Sequence, residues 1–356
     1  MNIVELLVAL VIILLAAELF TNGIEWFGHK LNLAEGAVGS VLAAVGTALP
    51  ETMIPLVAII AGSSNAVGGA SDHIGVGAIL GAPFMLSTLA MFVTGAGVLA
   101  FRKRRANGSE MKVDTHVLTT DIKYFFVAYV IAIAAAFVPP DMSYLRYGAV
   151  VALLGVYAWY VKIHFEADTT VDAVDLTPLR FRRVDVRHHR TEPGQPRLRI
   201  VSLQVLVALA MIVGGAVIFV DAVEHIAHDL QLPAILIALV VAPIATELPE
   251  KFNSIIWVRA GKDTLAMGNI TGAMVFQSCI PTIVGIVLAA EAWSLKDATP
   301  ETLISFVSAL IAFASTVAIF LPMARRGTLN GKHLLIGGLF YVVFLALVVG
   351  RLAGLI

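Results

Sequence analysis

Gly46-Thr47-Ala48-Leu49-Pro50-Glu51 recurs 199 positions later as Ala245-Thr246-Glu247-Leu248-Pro249-Glu250. Each copy sets a carboxylate directly after a proline, inside a stretch apolar enough to cross a bilayer. An acid in hydrocarbon is costly and is placed there for function. Two such acids at matched positions are how a membrane protein builds one cation site from two halves.

The surrounding composition agrees. Of 356 residues, 59% are hydrophobic and 14% charged, with mean hydropathy +0.89, well beyond a soluble domain. The net charge of −1 offers nothing to nucleic acid. Cys279 stands alone, which excludes an internal disulfide and any cysteine-based metal cluster. The amino-terminal stretch has no basic leader and no small-residue cleavage site, so it reads as a first span rather than a signal peptide.

A span needs about 20 mostly apolar residues. Such stretches fall near 3–27, 34–61, 74–100, 121–139, 144–164, 200–226, 232–258, 264–290, 301–323 and 333–354. With ten spans, all but four of the 24 Lys and Arg lie in or beside loops that follow odd-numbered spans. Arg146, Lys296 and Arg351 lie on the other side, and Lys251 lies within a span. Basic loops stay in the cytoplasm, so both termini are expected outside, in a multi-pass protein of the plasma membrane. The polar stretch 165–199 reads as a solvated cytoplasmic linker between residues 1–164 and 200–356.

Outward from the two prolines the halves align without a gap: Glu25 with Glu224, His29 with His228, Leu31 with Leu230, Leu33 with Leu232, Val41 with Val240 and Ala43 with Ala242. After a longer loop in the first half, Asp72, Gly77, Gly81 and Ala82 match Asp263, Gly268, Gly272 and Ala273. Five spans separate each motif from its copy, and an odd number reverses the direction of travel. The fold class is therefore an all-α membrane protein, ten transmembrane helices arranged as two inverted-topology five-helix repeats.

A proline within a helix frees the carbonyl four residues back. Those carbonyls are Gly46 and Ala245, and a bound cation can satisfy them. Thr47 and Thr246 add hydroxyls beside Glu51 and Glu250. Such hard oxygens suit Ca²⁺ or Na⁺ rather than zinc or copper, and two carboxylates balance one divalent ion. An emptied site leaves two carboxylates in low dielectric, which must recruit Na⁺ or protons, and this replacement is the basis of antiport. In the eighth span Asn269, Thr271 and Gln277 are candidates for the ion path, as are Glu247 and Lys251 in the seventh, spaced to pair with each other. Asp72 and Asp263 read as helix caps, and Glu25, His29, Glu224, His225 and His228 as interfacial residues. No Walker loop, nucleophile triad or HExxH is present, so the expectation is a transporter rather than an enzyme, with no cofactor beyond the transported ions.

These residues resemble the alpha repeats of the sodium/calcium exchanger family, in the cation/Ca²⁺ exchanger superfamily, over about 20–100 and 218–290. The resemblance implies a bacterial or archaeal type of membrane antiporter. Its second, third, seventh and eighth helices would line four adjacent cation sites, and its first and sixth would slide over the rest. It implies Glu51 and Glu250 as main Ca²⁺ ligands with Thr47 and Thr246 beside them, and exchange for Na⁺. The chain departs from the family at Ala48 and Glu247, where Ser is usual. It departs again at Ala78, Ala82, Pro83, Leu86, Ala273, Met274 and Gln277, where polar ligands are usual, while Asn269 is kept. Ca²⁺/Na⁺ exchange is the leading expectation, with Ca²⁺/H⁺ or monovalent cation/H⁺ exchange as the alternative. A non-transporting membrane sensor or structural protein is the alternative of another class. Its partners are then the lipid bilayer and cations; a monomer is sufficient, and the sequence does not fix the oligomeric state.

Overall fold

The computed structural model describes residues 2–30, 45, 48–62, 70–139, 141–166, 176–184, 196–230, 247–296 and 298–353. It is almost wholly helical. In chain order the helices are α1 (Asn2–Lys30), α2 (Leu49–Gly62), α3 (70–101), α4 (Thr115–Ala136), α5 (Ser143–Glu166), α6 (Leu198–Leu230), α7 (Leu248–Arg259), α8 (Asp263–Leu288), α9 (Pro300–Arg326) and α10 (Gly331–Leu352). All but α2 and α7 are long and apolar enough to cross a membrane. Those two are described only from their prolines onward, so the first parts of the second and seventh predicted spans lie outside the described residues. Along the rods, apolar side chains such as Val151, Leu310 and Leu339 remain more than 60% exposed, as a lipid-facing surface requires.

Local chemistry sets the helix ends. Asp114 caps α4, its carboxylate accepting from the amides of His116 and Val117 at 2.9 and 3.2 Å. That cap starts α4 six residues ahead of the expected position 121. Thr299 caps α9, Pro300 opens it, and Gly327 closes it at φ 69°, a conformation that favours glycine. Within α3 the helix widens to a π turn over Leu86–Ala90, shortly after Pro83. In α8, Pro281 removes a donor from the Gln277 carbonyl, which instead accepts the Thr282 hydroxyl at 3.3 Å.

The two ends of the bundle are stitched separately, in the order the charge pattern predicts. At one end the short strands β1 (Glu110–Met111) and β2 (Leu329–Asn330) pair antiparallel, joining the loops after α3 and α9. Arg105 from the same α3 loop reaches Asp263 at the head of α8. At the other end Leu295 donates to the Ala136 carbonyl (2.8 Å) and the Trp293 indole to Ala132 (3.2 Å). Arg146 there binds the carbonyls of Val138 and Ala290. Loops after odd-numbered helices thus meet one another, and so do loops after even-numbered ones.

α1 and α6 lie against each other in opposite directions. Gly23 faces Val205 and Gly215 faces Ile13, so the contact recedes along α6 as it advances along α1. A Cβ added at either glycine would stand 2.8 Å from its neighbour. Small residues of this kind let membrane helices approach closely. The largest buried core draws on α2–α5 and α7–α10 and takes no residue from α1 or α6. That pair has its own clusters, sharing Ile54, Ala58, Ile74 and Ala78 with α2 and α3. The molecule is thus an eight-helix body with a two-helix pair laid on it.

The segment 176–184 is more than a solvated connector. The Trp26 indole donates to the Thr177 carbonyl (2.9 Å), and the Asn22 amide to the Thr177 hydroxyl (3.0 Å). The amides of Arg180 and Phe181 donate to Asn22 and Gln204, Arg180 also pairs with Glu18, and Leu179 is buried beside Trp26 and Val201. This part of the linker is fastened to α1 and α6.

Candidate cation site

Pro50 and Pro249 fall in the first turns of α2 and α7, where a helix has no bond for their missing N–H to lose. Glu51 and Glu250 occupy those same turns, where free backbone amides and the helix dipole favour a carboxylate. Both acids are withdrawn from solvent, Glu51 to 3% exposure and Glu250 to 0%. α2 packs on α3 and α8, and α7 packs on α8 and on the second half of α3. The two acids therefore head helices that share the same two neighbours. Gly46, Thr47, Ala245 and Thr246 lie outside the described residues.

The two halves differ one turn around each acid. In the first, the Thr52 hydroxyl reaches the Ala48 carbonyl at 3.4 Å. At the equivalent places in the second, the Lys251 ammonium donates to Glu247 Oε2 at 3.0 Å, with both side chains buried. The predicted spacing of Glu247 and Lys251 is realised as a desolvated ion pair in the turn that carries Glu250. Such a pair is net neutral, and removing one member leaves a charge that the interior cannot accommodate.

Around these acids α8 is polar and α3 is not. Asn269 and Gln277 are buried on α8, and neither polar atom of the Gln277 amide is bonded to a described residue. Thr271 points elsewhere: its hydroxyl lies 2.6 Å from Asp121 Oδ2 and 3.0 Å from the Met267 carbonyl. On α3, Ala78, Leu80, Ala82 and Leu86 are buried and apolar. The hydroxyls of Ser87, Thr88 and Thr94 donate to carbonyls of the same helix. The second half thus supplies most of the side-chain oxygens.

Three polar features escape a reading by motif. Arg105 looks like one of four basic residues in a loop, yet it is 3% exposed and grips Asp263 with both terminal nitrogens. That grip corrects the capping role expected of Asp263, which makes no cap bond on its own helix. Arg146 is buried among loop carbonyls. Asp121, Tyr160, His164 and Thr271 converge from three helices. A lone acid at the edge of an apolar span was the only sequence signal for that last cluster.

Fold and site together define a polytopic membrane protein of two oppositely oriented halves, each placing a buried glutamate in a proline-led first turn. The family model for the sodium/calcium exchanger protein matches residues 1–165 and 200–350, the two halves on either side of the linker. The chain belongs to that family of membrane cation antiporters. A protein of Alkalimonas amylolytica named "Putative antiporter CaxA" is 24% identical over 343 residues, 95% of each chain. Among solved structures, an H⁺/Ca²⁺ exchanger CAX superposes with TM-score 0.72 at 20% identity, covering 97% of this chain and 81% of its own. The sodium-calcium exchanger NCX_Mj gives 0.56 at 16% identity, covering 97% and 98%.

Proposed function

We propose that the chain moves Ca²⁺ across the plasma membrane in exchange for protons, the divalent ion being held between Glu51 and Glu250 near the membrane midplane. The observation that carries this reading is the burial of two symmetry-related carboxylates, together with an α3 that is apolar at Ala78, Leu80, Ala82 and Leu86. Two carboxylates neutralise one divalent ion, and the hard oxygens of Asn269 and Gln277 suit Ca²⁺. Protons need no further ligands, since each replaces the ion on a carboxylate directly. The Glu247–Lys251 pair already brings a buried ammonium into the turn that carries Glu250.

Sodium coupling is the second reading. It is favoured by the Gly46-to-Glu51 element, which matches the sodium/calcium exchanger motif closely. Gly46, Thr47, Ala245 and Thr246 would then complete the oxygen shell.

The cycle we infer turns on the two-body architecture. The α1–α6 pair has apolar clusters of its own and meets the rest chiefly along α2, so it can slide as a unit against the body that carries the ligands on α2, α7 and α8. The fastened linker 176–184 would travel with that pair. We place ten crossings in the membrane, both termini outside and the basic loops in the cytoplasm, with a monomer as the working unit. The test uses purified protein in liposomes loaded with radioactive Ca²⁺, under a pH gradient alone and then a Na⁺ gradient alone. Efflux driven by pH supports the proposal, efflux driven only by Na⁺ selects the second reading, and none under either gradient returns the non-transporting class.

A further inference from the structure

Asp121 on α4 is fully buried and lies outside the cation site. Its Oδ1 is 3.1 Å from His164 Nε2 and accepts the Tyr160 hydroxyl at 3.0 Å, both from α5. Its Oδ2 is 2.6 Å from Thr271 Oγ1 on α8. His164 Nδ1 in turn stands 3.1 Å from the Tyr160 carbonyl oxygen.

These contacts fix where hydrogens can be. A carbonyl oxygen only accepts, so Nδ1 of His164 carries a hydrogen. Nε2 then meets a carboxylate oxygen, and that contact holds only with one proton between them. The proton belongs to an imidazolium donating to a carboxylate or to a carboxylic acid donating to an imidazole. Either way the pair is a neutral unit holding one exchangeable proton; losing it sets a bare carboxylate against an imidazole lone pair. Thr271 has one hydroxyl hydrogen and two acceptors in reach, Asp121 Oδ2 and the Met267 carbonyl at 3.0 Å. With Oδ2 ionised, the hydroxyl turns to Asp121. With the proton shared at Oδ1, the charge on Oδ2 falls and the hydroxyl is released toward the Met267 carbonyl.

We propose that Asp121 and His164 form a buried proton-binding site apart from the cation site, which α8 reads through Thr271. The proton comes from water at the end bearing the basic loops: His164 is 6% exposed and lies two residues from the α5 terminus, beside the exposed Lys162 and Glu166. It settles between Oδ1 and Nε2, and leaves by the same route.

The groups packed around it, among the described residues, offer no competing buried charge. α4 contributes Tyr124, and its Lys123 is exposed. α5 contributes Tyr157, Tyr160 and His164 itself; Lys162 and Glu166 are exposed and Arg146 is bound at the far end. α8 contributes Thr271 and Cys279, with Asp263 taken by Arg105 at its head. α9, which also packs on α4, brings Arg325 and Arg326 only at its exposed end. Because Asn269 and Gln277 ride on the same helix as Thr271, the proton at Asp121 bears on the ligands of the transported ion.

The site itself does not depend on which counter-ion is carried; only its flux readout rests on the antiporter reading. The experiment compares the full-length parent with Asp121→Asn, His164→Gln and Thr271→Val, each first checked for a monodisperse elution profile. Nitrogen NMR of labelled histidine reads the His164 ring directly, its signal assigned by absence in His164→Gln. The ring should titrate at a pH that moves by about one unit or more in Asp121→Asn and by less in Thr271→Val, which removes only a hydrogen bond to the carboxylate. Ca²⁺ flux at equal pH on both sides should show its half-maximal pH displaced in all three variants. A His164 titration indifferent to Asp121→Asn overturns the site. A normal titration with flux profiles superimposable on the parent's overturns its link to α8. Absence of Ca²⁺ flux in the parent would sink the antiporter reading and leave the NMR result to decide the proton site.

Discussion

Removing the carboxylate of Asp263 tests whether one buried ion pair holds the end bearing the basic loops together. Arg105 and Asp263 are 3% and 2% exposed, and both terminal nitrogens of Arg105 meet the carboxylate, at 2.7 and 2.6 Å. Arg105 further donates to the carbonyls of Val258, Gly108 and Glu110, and Asp263 accepts the Lys112 amide at 2.8 Å. The guanidinium keeps its charge in any surroundings. Asp263→Asn therefore leaves a buried cation without its anion and turns an amide N–H of the new side chain toward another donor. The expected loss is about 3–5 kcal/mol. Arg105→Met should cost a similar amount through the stranded carboxylate. The double variant Arg105→Met/Asp263→Asn removes both charges and should lose less than the sum of the singles by about 1–3 kcal/mol. Thermal unfolding in detergent, followed by size-exclusion fluorescence, reads all four proteins. Singles indistinguishable from the parent, or a double variant that is simply additive, would refute the claim that this pair is desolvated and mutually dependent.

Other perturbations bear on the moving pair and the cation shell. Gly215→Val pushes new methyl groups into Ile13, 2.8 Å from the first added carbon; overpacking of this kind costs about 1–3 kcal/mol, and wedging α1 from α6 should slow flux more than it weakens Ca²⁺ binding. Equal effects on both would count against a sliding pair. Glu247→Gln strands the Lys251 ammonium beside Glu250 and should weaken Ca²⁺ binding by about tenfold, roughly 1.4 kcal/mol. Adding Lys251→Met should restore it, as calorimetric titration would show. Trp26→Phe removes the indole bond to Thr177; the linker should then be cut faster by protease, with the halves otherwise unchanged.

What the sequence discloses is periodic or repeated, and what it hides is assembled from distant single residues. The doubled Leu-Pro-Glu, the apolar spans and the side-biased Lys and Arg are all local patterns, and the stitched loop ends respect the sides they define. The helix boundaries at Asp114 and Thr299 follow from capping chemistry that a span-length reading overlooks. Arg105 is indistinguishable in sequence from Arg102 or Arg104, because its burial is created by a strand pair drawn from residues 110 and 330. Asp121 and His164 are separated by most of two helices, so nothing short of their packing brings them together. Asn22 and Gln204 likewise acquire meaning only once α1 and α6 lie antiparallel and the linker folds over them. Glu51 and Glu250 were visible from the start because the repeat writes the site twice.

The central claim, that these two glutamates together hold the transported ion, is tested most directly by Ca²⁺ binding and flux in Glu51→Gln and Glu250→Gln. Each substitution keeps size and hydrogen-bonding capacity while removing one of the two charges that balance a divalent ion. Each should abolish flux and weaken Ca²⁺ binding by at least about a hundredfold, the loss of roughly 3 kcal/mol expected when a buried charged partner is removed. Parent-like binding and flux in either variant would contradict the account.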